Sequence, residues 1–182
     1  MHHIRPYKLF TLIEAPPSER VVQTALPSRR GAGGVNLLEM FLINAASRVV
    51  QAKRVFEIGT FLGNTTLNLA LNIPDDGAVY SLDLDEQHAG DAKQDLADVP
   101  LTEIHLTCKS SLDFAGSPVE RKIKPVIGNS TTFDYSPWNG SIDLVFIDGG
   151  HDFATVKSDS ENALEMACQD KPSCVQIGRA HV

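Results

Sequence analysis

The sequence predicts an α/β domain built on a doubly wound parallel sheet. Short apolar runs alternate with segments of helical periodicity, and several of the runs end in glycine or aspartate. The strongest run, Ile142-Asp143-Leu144-Val145-Phe146-Ile147-Asp148, is apolar on both faces, as expected for a central strand that helices cover on each side. The 182 residues are enough for one such domain.

Composition narrows the class of partner. The chain has 16 Lys and Arg against 23 Asp and Glu, for a net charge of −7. An acidic chain without a basic block disfavours nucleic acid and anionic membranes as partners. No apolar run is long enough to cross a bilayer, and the N-terminus shows no secretory signal, so we expect a cytoplasmic protein. Three cysteines without C-x-x-C spacing argue against a disulfide framework and a zinc site.

The elements follow from periodicity. Residues 1–34 are predicted to be irregular, because four prolines and the Gly31-Ala32-Gly33-Gly34 joint interrupt them. Residues 84–122 give a mixed signal with a polar helix near 89–97, and so long a connection is typically a functional cover or disordered. The predicted strands are 54–58, 78–82, 124–128, 142–148 and one that starts at Ser173; the predicted helices are 35–50, 65–71 and 153–168.

The last predicted helix should be amphipathic. Its spacing turns one set of side chains to the sheet and another to solvent. The predicted inner set is Val156, Ala163, Leu164 and Ala167, and the predicted outer set is Lys157, Asp159 and Glu161.

The C-terminal residues suggest an interrupted strand. Ile177-Gly178-Arg179-Ala180-His181-Val182 coincides with the peptide that one reading frame of a common sequencing adapter would encode. We therefore expect residues 35–175 to be a partial domain and 176–182 a non-native tail, with a genuine short tail as the alternative.

The segment after the first strand is a candidate ligand-binding turn. Glu57-Ile58-Gly59-Thr60-Phe61-Leu62-Gly63-Asn64-Thr65-Thr66 joins a buried strand to a helix through two glycines. Glycine lets a ligand approach the backbone, and free N–H groups at a helix start attract negative charge. The spacing is G-x-x-x-G rather than the G-x-G-x-x-G of a dinucleotide site, which leaves a purely structural turn as the alternative.

Two carboxylates flank this turn. Asp83 closes the second strand, twenty residues beyond Gly63, where a carboxylate can accept both hydroxyl hydrogens of a ribose. Glu57 precedes the glycines, and a buried charge there needs a cationic or amino group opposite, unless it is solvated at the sheet rim. Together they predict an adenosine ligand with an amino acid portion.

From Val35 to Val175 the chain resembles the class I S-adenosylmethionine-dependent methyltransferases. Within them it is most similar to the small-molecule O-methyltransferase-like branch, which includes the catechol methyltransferases and the methyltransferase-24 proteins. The resemblance implies a Rossmann-like sheet with strand order 3-2-1-4-5-7-6. In that order a cut near Val175 would leave Ile142–Ile147 at a bare sheet edge, so the chain as given is expected to aggregate and to be inactive. The motifs that carry the resemblance are the glycine segment, Tyr80-Ser81-Leu82-Asp83, Ile127-Gly128-Asn129-Ser130 and Asp143-Leu144-Val145-Phe146-Ile147-Asp148-Gly149-Gly150-His151.

The resemblance also assigns cofactor-binding residues. The glycine segment would wrap the methionine part of S-adenosylmethionine, Asp83 would bind the ribose, and the pair after the third strand would lie near the adenine. The full set of candidates is Glu57, Gly59, Thr60, Phe61, Gly63, Asn64, Thr65, Asp83, Asn129, Ser130 and Asp148.

Asp148 and His151 are the candidate catalytic residues. Metal-dependent members of the catechol branch place a magnesium or calcium ligand where Asp148 stands, with further ligands on the next strand. One carboxylate cannot hold such a cation tightly, and contact with the cofactor or capping of the following turn is the alternative. His151 matches the position of the base that deprotonates the acceptor hydroxyl, although Gly-Gly-His-Asp is also an ordinary turn into a helix.

The predicted function of the native protein is methyl transfer from S-adenosylmethionine to a small-molecule nucleophile, with oxygen as the expected acceptor atom. The alternatives are a cephalosporin-hydroxylase-like enzyme and a non-catalytic binder of the cofactor. A nicotinamide dehydrogenase fits less well, because the glycine spacing departs from that fingerprint.

Overall fold

The computed structural model describes residues 21–26, 34–84 and 112–178. The predicted polar helix at 89–97 lies outside these residues. No helix in the described ranges has the length and apolar character needed to span a membrane. Three α-helices and five strands are present there: α1 (Leu37–Val49), β1 (Arg54–Ile58), α2 (Asn64–Asn72), β2 (Ala78–Asp83), β3 (Ile123–Ile127), β4 (Leu144–Ile147), α3 (Phe153–Met166) and β5 (Cys174–Ile177).

The five strands form one sheet in the order β3-β2-β1-β4-β5. All four strand pairs are parallel, which confirms the predicted fold class. The reversal between β1 and β4 creates a switch point at the carboxyl ends of the strands, where open α/β sheets bind ligands.

Alternation along the strands divides the core into two layers. Val55 and Val79 pack with α1 and α2 on one face. Phe56 and Ile58 pack with Ala163 of α3 on the other face. Every residue of β4 is buried, as predicted for a central strand.

Local side chains fix the helix boundaries. The Asn36 side chain accepts a hydrogen bond from the Glu39 N–H at the start of α1, and Asp152 does the same for Ala154 and Thr155 at the start of α3. At the end of α2, the buried Lys122 ammonium donates to the carbonyls of Ala70 and Ile73. A cation is favourable there, because the last carbonyls of a helix carry partial negative charge.

Two details of the sequence interpretation are wrong. Asp159 of α3 is fully buried against the sheet, whereas Leu164 is 40% exposed. The prediction failed because Asp159 was assigned to solvent from its residue type alone, since carboxylates are seldom fully buried.

The expectation of a bare edge at β4 is also wrong. β5 pairs with β4 from Leu144↔Cys174 to Ile147↔Ile177, so β5 rather than β4 forms that edge. The strand also continues through Gln176 and Ile177, two residues that were assigned to the tail. Backbone pairing requires no particular side chain, which is why the strand runs past the predicted boundary.

Candidate functional site

The candidate residues converge at the carboxyl edge of the sheet. Ile58 is in register with Leu82 of β2 and with Ile147 of β4, so Gly59, Asp83 and Asp148 all follow the same edge. The Gly59 N–H donates to Leu82 O at 2.9 Å, and the Asp148 N–H donates to Ile58 O at 2.8 Å. These bonds hold the three strand ends side by side.

Close packing within the protein explains why the turn contains glycine at two positions. Gly59 has φ +98°, and a Cβ there would lie 2.3 Å from the Asp148 carbonyl oxygen. Gly63 has φ +81°, and its Cβ would lie 2.7 Å from the Phe114 ring. A side chain is therefore excluded at both positions before any ligand is considered, which supports the structural interpretation that the sequence left open.

Phe61 stands between these glycines in a strained backbone. Its φ is +50°, in the left-handed region that non-glycine residues seldom occupy. Such strain persists only where the surroundings impose it, and it is frequent at ligand-binding turns. The Gly63 N–H donates to Thr60 O at 2.8 Å, which closes the turn in front of α2.

Glu57 lies beneath the turn in a network of hydroxyl groups. Its Oε2 accepts hydrogen bonds from the Thr66 hydroxyl at 2.5 Å and from the Ser81 hydroxyl at 2.6 Å. Because Ser81 donates its single hydrogen to Glu57, its oxygen accepts from the Thr60 hydroxyl, 2.6 Å away. The network thereby joins the glycine turn, α2 and β2 to one carboxyl group.

The charge state of Glu57 is set by burial. The side chain is 0% exposed, and its Oε1 has no hydrogen-bond partner among the described residues. Burial raises the pKa of Glu57 to about 8, the two hydroxyl donors oppose that rise, and the nearby Asp148 and Asp83 add to it. A cationic group brought to this edge would relieve that cluster of carboxylates.

The predicted adenine-side pair shapes the loop after β3. Asn129 Oδ1 accepts from the Thr131 N–H at 3.0 Å and from its hydroxyl at 2.8 Å. The Ser130 carbonyl accepts from the Tyr135 hydroxyl at 3.1 Å. The Asn129 oxygen is thus committed to the turn. Any contact of this pair with a ligand would come from its remaining groups.

Asp83 ends β2 in a half-buried position beside the turn. Its Oδ1 accepts from the Leu84 N–H at 2.9 Å. Its backbone carbonyl accepts from the Gly128 N–H at 3.0 Å, which brings the loop after β3 alongside. The carboxyl group is therefore fixed between the glycine turn and the loop that carries Asn129.

Asp148 and His151 line a small cleft between the ends of β4 and β5. The cleft has a volume of about 10 Å³, close to that of one water molecule. A Cβ on Gly178 would lie 2.4 Å from Asp148 Oδ1, so the end of β5 lies directly against this carboxyl group. The structure thus brings the two candidate catalytic residues to one cleft.

A divalent cation does not fit these residues. Within the described ranges, no group of three or more His, Cys, Asp or Glu side chains could hold a metal ion. Magnesium and calcium require several oxygen ligands, which Asp148 alone does not supply.

Three polar residues of the site were missed at the sequence level. Ser81 and Thr66 hold Glu57, and Asp159 is a buried carboxyl group whose pKa burial raises to about 6, with the nearby Ser130 hydroxyl opposing that rise. Ser81 could have been found, because it stands directly opposite Glu57 in the parallel register of β1 and β2. Asp159 could also have been found, because it lies four residues before Ala163 and seven before Met166, which is the spacing of the buried face of α3.

Comparison with known proteins identifies relatives of this arrangement. A family profile described as a methyltransferase domain, methyltransferase-24, matches residues 56–170. No curated protein sequence matches the chain. Solved structures do resemble it in fold, and the chain spans about half the length of each of those described next.

The O-methyltransferase of tomaymycin synthesis from Streptomyces achromogenes, solved with S-adenosylmethionine, has a TM-score of 0.54 at 20% identity, with 74% of this chain and 53% of that chain covered. An O-methyltransferase-like protein from Klebsiella pneumoniae has a TM-score of 0.54 at 24% identity, with 75% of this chain and 54% of that chain covered. A protein from Staphylococcus aureus described as caffeoyl-CoA O-methyltransferase-like has a TM-score of 0.53 at 21% identity, with 75% of this chain and 56% of that chain covered. At these identities the likeness shows the fold alone.

Proposed function

This chain belongs to the methyltransferase-24 family of methyltransferase domains, and we propose that its native protein transfers a methyl group from S-adenosylmethionine to a hydroxyl oxygen of a small molecule. The observation that carries the proposal is the family match over residues 56–170. The carboxyl edge of the sheet, with Glu57, Asp83 and Asp148 close together, agrees with it.

The site chemistry suits this cofactor. S-adenosylmethionine carries a sulfonium and an ammonium group, and both would be attracted to the carboxylates of this edge. Glu57, with Oε1 lacking a partner among the described residues, would face the cationic amino acid portion through the glycine turn. Asp83 would accept the ribose hydroxyls, and Asn129 with Ser130 would lie beside the adenine.

The reaction needs positioning and one proton acceptor. The cofactor supplies an electrophilic methyl group, and the acceptor oxygen forms a bond to it while the carbon–sulfur bond breaks. His151 would take the proton of the acceptor hydroxyl, because an imidazole nitrogen can act as a general base. Holding oxygen and methyl in line is the remaining contribution of the protein. No step is assigned to a metal ion, since the described residues do not form a site for one.

The proposal predicts formation of S-adenosylhomocysteine from S-adenosylmethionine in the presence of hydroxylated aromatic acceptors. His151→Asn should reduce the turnover number about 10²–10⁴-fold, the usual contribution of a positioned base, with cofactor affinity unchanged. Lys157→Ala, which alters an exposed residue of α3, is the matched control.

Two outcomes would count against this function. Tight binding of S-adenosylmethionine without product over the whole acceptor panel would favour a non-catalytic binder. Product formation that requires iron and oxygen would favour the hydroxylase-like alternative, which the family match does not favour.

A further inference from the structure

Residues 21–26 lie along α1 and α2 without a fully buried side chain, although Val22 and Ala25 are partly buried. Val21 and Leu26 of this strap are 60% and 73% exposed, and none of its side chains belongs to the hydrophobic core. Apolar burial therefore contributes only part of the attachment of the strap. The specific contacts are hydrogen bonds to its backbone.

Three buried asparagines provide those bonds. Asn72 accepts from the Gln23 N–H at 2.9 Å and donates to the Gln23 carbonyl at 2.8 Å. Asn68 accepts from the Ala25 N–H at 2.9 Å and donates to the Ala25 carbonyl at 3.1 Å. Asn44 of α1 adds a second donor to the Gln23 carbonyl at 3.1 Å. Each carboxamide of α2 thus binds both backbone groups of one residue, as a neighbouring strand would.

The two periodicities match. Residues four apart in a helix are separated by about 6 Å along its axis, and residues two apart in an extended chain by about 6.6 Å. Asn68 and Asn72 can therefore bind Gln23 and Ala25 together without distortion. Since every bond goes to backbone atoms, the arrangement recognises an extended main chain rather than a sequence.

Asn68 also connects the strap to the glycine turn. The same side chain donates to the carbonyl of Asn64 at 2.9 Å, and Asn64 is the first residue of α2, directly after Gly63. Loss of the strap would remove the N–H and carbonyl of Ala25 as hydrogen-bond partners of the Asn68 carboxamide. It would then be free to reorient away from Asn64.

We propose that Asn44, Asn68 and Asn72 form a binding site for an extended polypeptide main chain, that residues 21–26 are its ligand, and that its occupancy fixes the first turn of α2. The effect on the cofactor, which binds beside that turn, rests on the proposed function. The binding of the strap does not.

Amide hydrogen exchange, followed by NMR in the full chain, tests the site. In the wild type, the amides of Gln23 and Ala25 should exchange more slowly than that of Thr24, for which no hydrogen bond is found among the described residues. Gln23→Pro removes a bonded N–H, and Thr24→Pro makes the same change at an amide without such a bond. We expect Ala25 to exchange about tenfold faster in Gln23→Pro and to be nearly unchanged in Thr24→Pro.

Both variants lie in an exposed segment, so neither threatens the core. Gln23→Ala should leave exchange unchanged, because the site reads no side chain at that position. Equal exchange at all three amides of the wild type, or equal effects of the two proline variants, would overturn the site. Protection that grows with protein concentration would also overturn it, because the occupant would then be the strap of a second copy.

The link to the cofactor has a separate readout. Calorimetric titration should show S-adenosylmethionine affinity reduced about three- to tenfold in Gln23→Pro and unchanged in Thr24→Pro. Unchanged affinity in both, with the expected exchange pattern, would overturn the coupling and leave the main-chain site intact. A wild type that binds no cofactor would refute the proposed function and the coupling alone.

Discussion

Two buried carboxyl groups with different partners lie at the two ends of β1. At the amino end, Asp143 is 1% exposed, accepts the N–H groups of Lys53 and Arg54 at 2.8 and 3.0 Å, and pairs with Lys171 at 2.7 Å. At the carboxyl end, Glu57 receives two hydroxyl donors on one oxygen and has no cationic partner on the other within the described residues. The hydrogen-bond and charge partners of Asp143 all come from the protein, whereas Glu57 has an oxygen that is available to a cationic ligand.

The pKa values of the two groups shift in opposite directions, which agrees with this difference in their partners. Burial acts to raise the pKa of Asp143, but Lys171 and the two backbone donors outweigh it and hold that pKa below its usual value. Burial dominates at Glu57 and raises its pKa to about 8. A carboxylate that is stabilised in the folded state acts as a structural brace, and one that is destabilised there is a candidate for ligand binding.

The largest predicted effect concerns the glycine beside Glu57. Gly59→Ala should lower the free energy of unfolding by about 4 kcal/mol, the sum of a left-handed backbone and of overlap with the Asp148 carbonyl. Gly63→Ala should cost less, because its neighbour is the edge of the Phe114 ring, which can move. Chemical denaturation measures both. Small and equal decreases in the free energy of unfolding would show that the turn can rearrange. The glycines would then be explained better by the approach of a ligand to the backbone.

Asp143→Ala should cost about 3 kcal/mol, since it leaves two backbone N–H groups and Lys171 without their partner. The matched control is Asp76→Ala, which removes an exposed ion pair to Lys53 and should leave stability near that of the wild type. Cofactor affinity should not change in either folded variant. A fall in affinity for Asp143→Ala would erase the distinction between the two ends of β1.

The third prediction uses pH. The unfolded Glu57 ionises near pH 4.5 but the folded group only near 8, so its contribution to stability is complete below pH 4.5 and is lost as pH rises to 8. Glu57→Gln should therefore gain stability relative to the wild type, by up to about 1.4 kcal/mol per pH unit in that window. The same variant should weaken binding of a cationic ligand.

Thermal denaturation from pH 5 to pH 8 measures this difference. Asp143→Asn and the wild type should have parallel profiles over this range, because Asp143 is ionised in the folded and the unfolded chain there. Their opposite slope appears only below pH 3.8, the ordinary pKa of the group, where acidification removes the stability that the lowered pKa of Asp143 provides. Parallel pH profiles for wild type and Glu57→Gln would contradict the assignment.

Much of this contrast could be predicted from the sequence, and part of it could not. The strands and their parallel order follow from apolar runs that alternate with helical segments. The polar residues of the carboxyl edge follow from where those runs end. The position of Glu57 before the glycines already indicated a cationic partner. The argument from residue type failed at Asp159, which was assigned to solvent as a carboxylate but which the fold buries.

Long-range hydrogen bonds explain the rest of the gap. Asn68 and Asn72 bind a segment more than forty residues away, and Lys122 caps a helix that ends about fifty residues before it. These contacts have no local periodicity, so only the folded chain reveals them. The twin glycines illustrate a different limit, because their spacing is compatible with ligand approach and with close backbone packing.

Calorimetric titration of S-adenosylmethionine into the wild type, Asp83→Ala and the control Asp75→Ala tests the central claim that the carboxyl edge binds this cofactor. Asp75 is an exposed residue paired with Arg121, and it lies in the turn before β2 rather than at the carboxyl edge of the sheet. We predict that Asp83→Ala loses about 1.5–3 kcal/mol of binding free energy, the value of a hydrogen bond to a charged group, while Asp75→Ala binds as the wild type does. Equal affinity in all three proteins, or no binding by the wild type, would contradict the account.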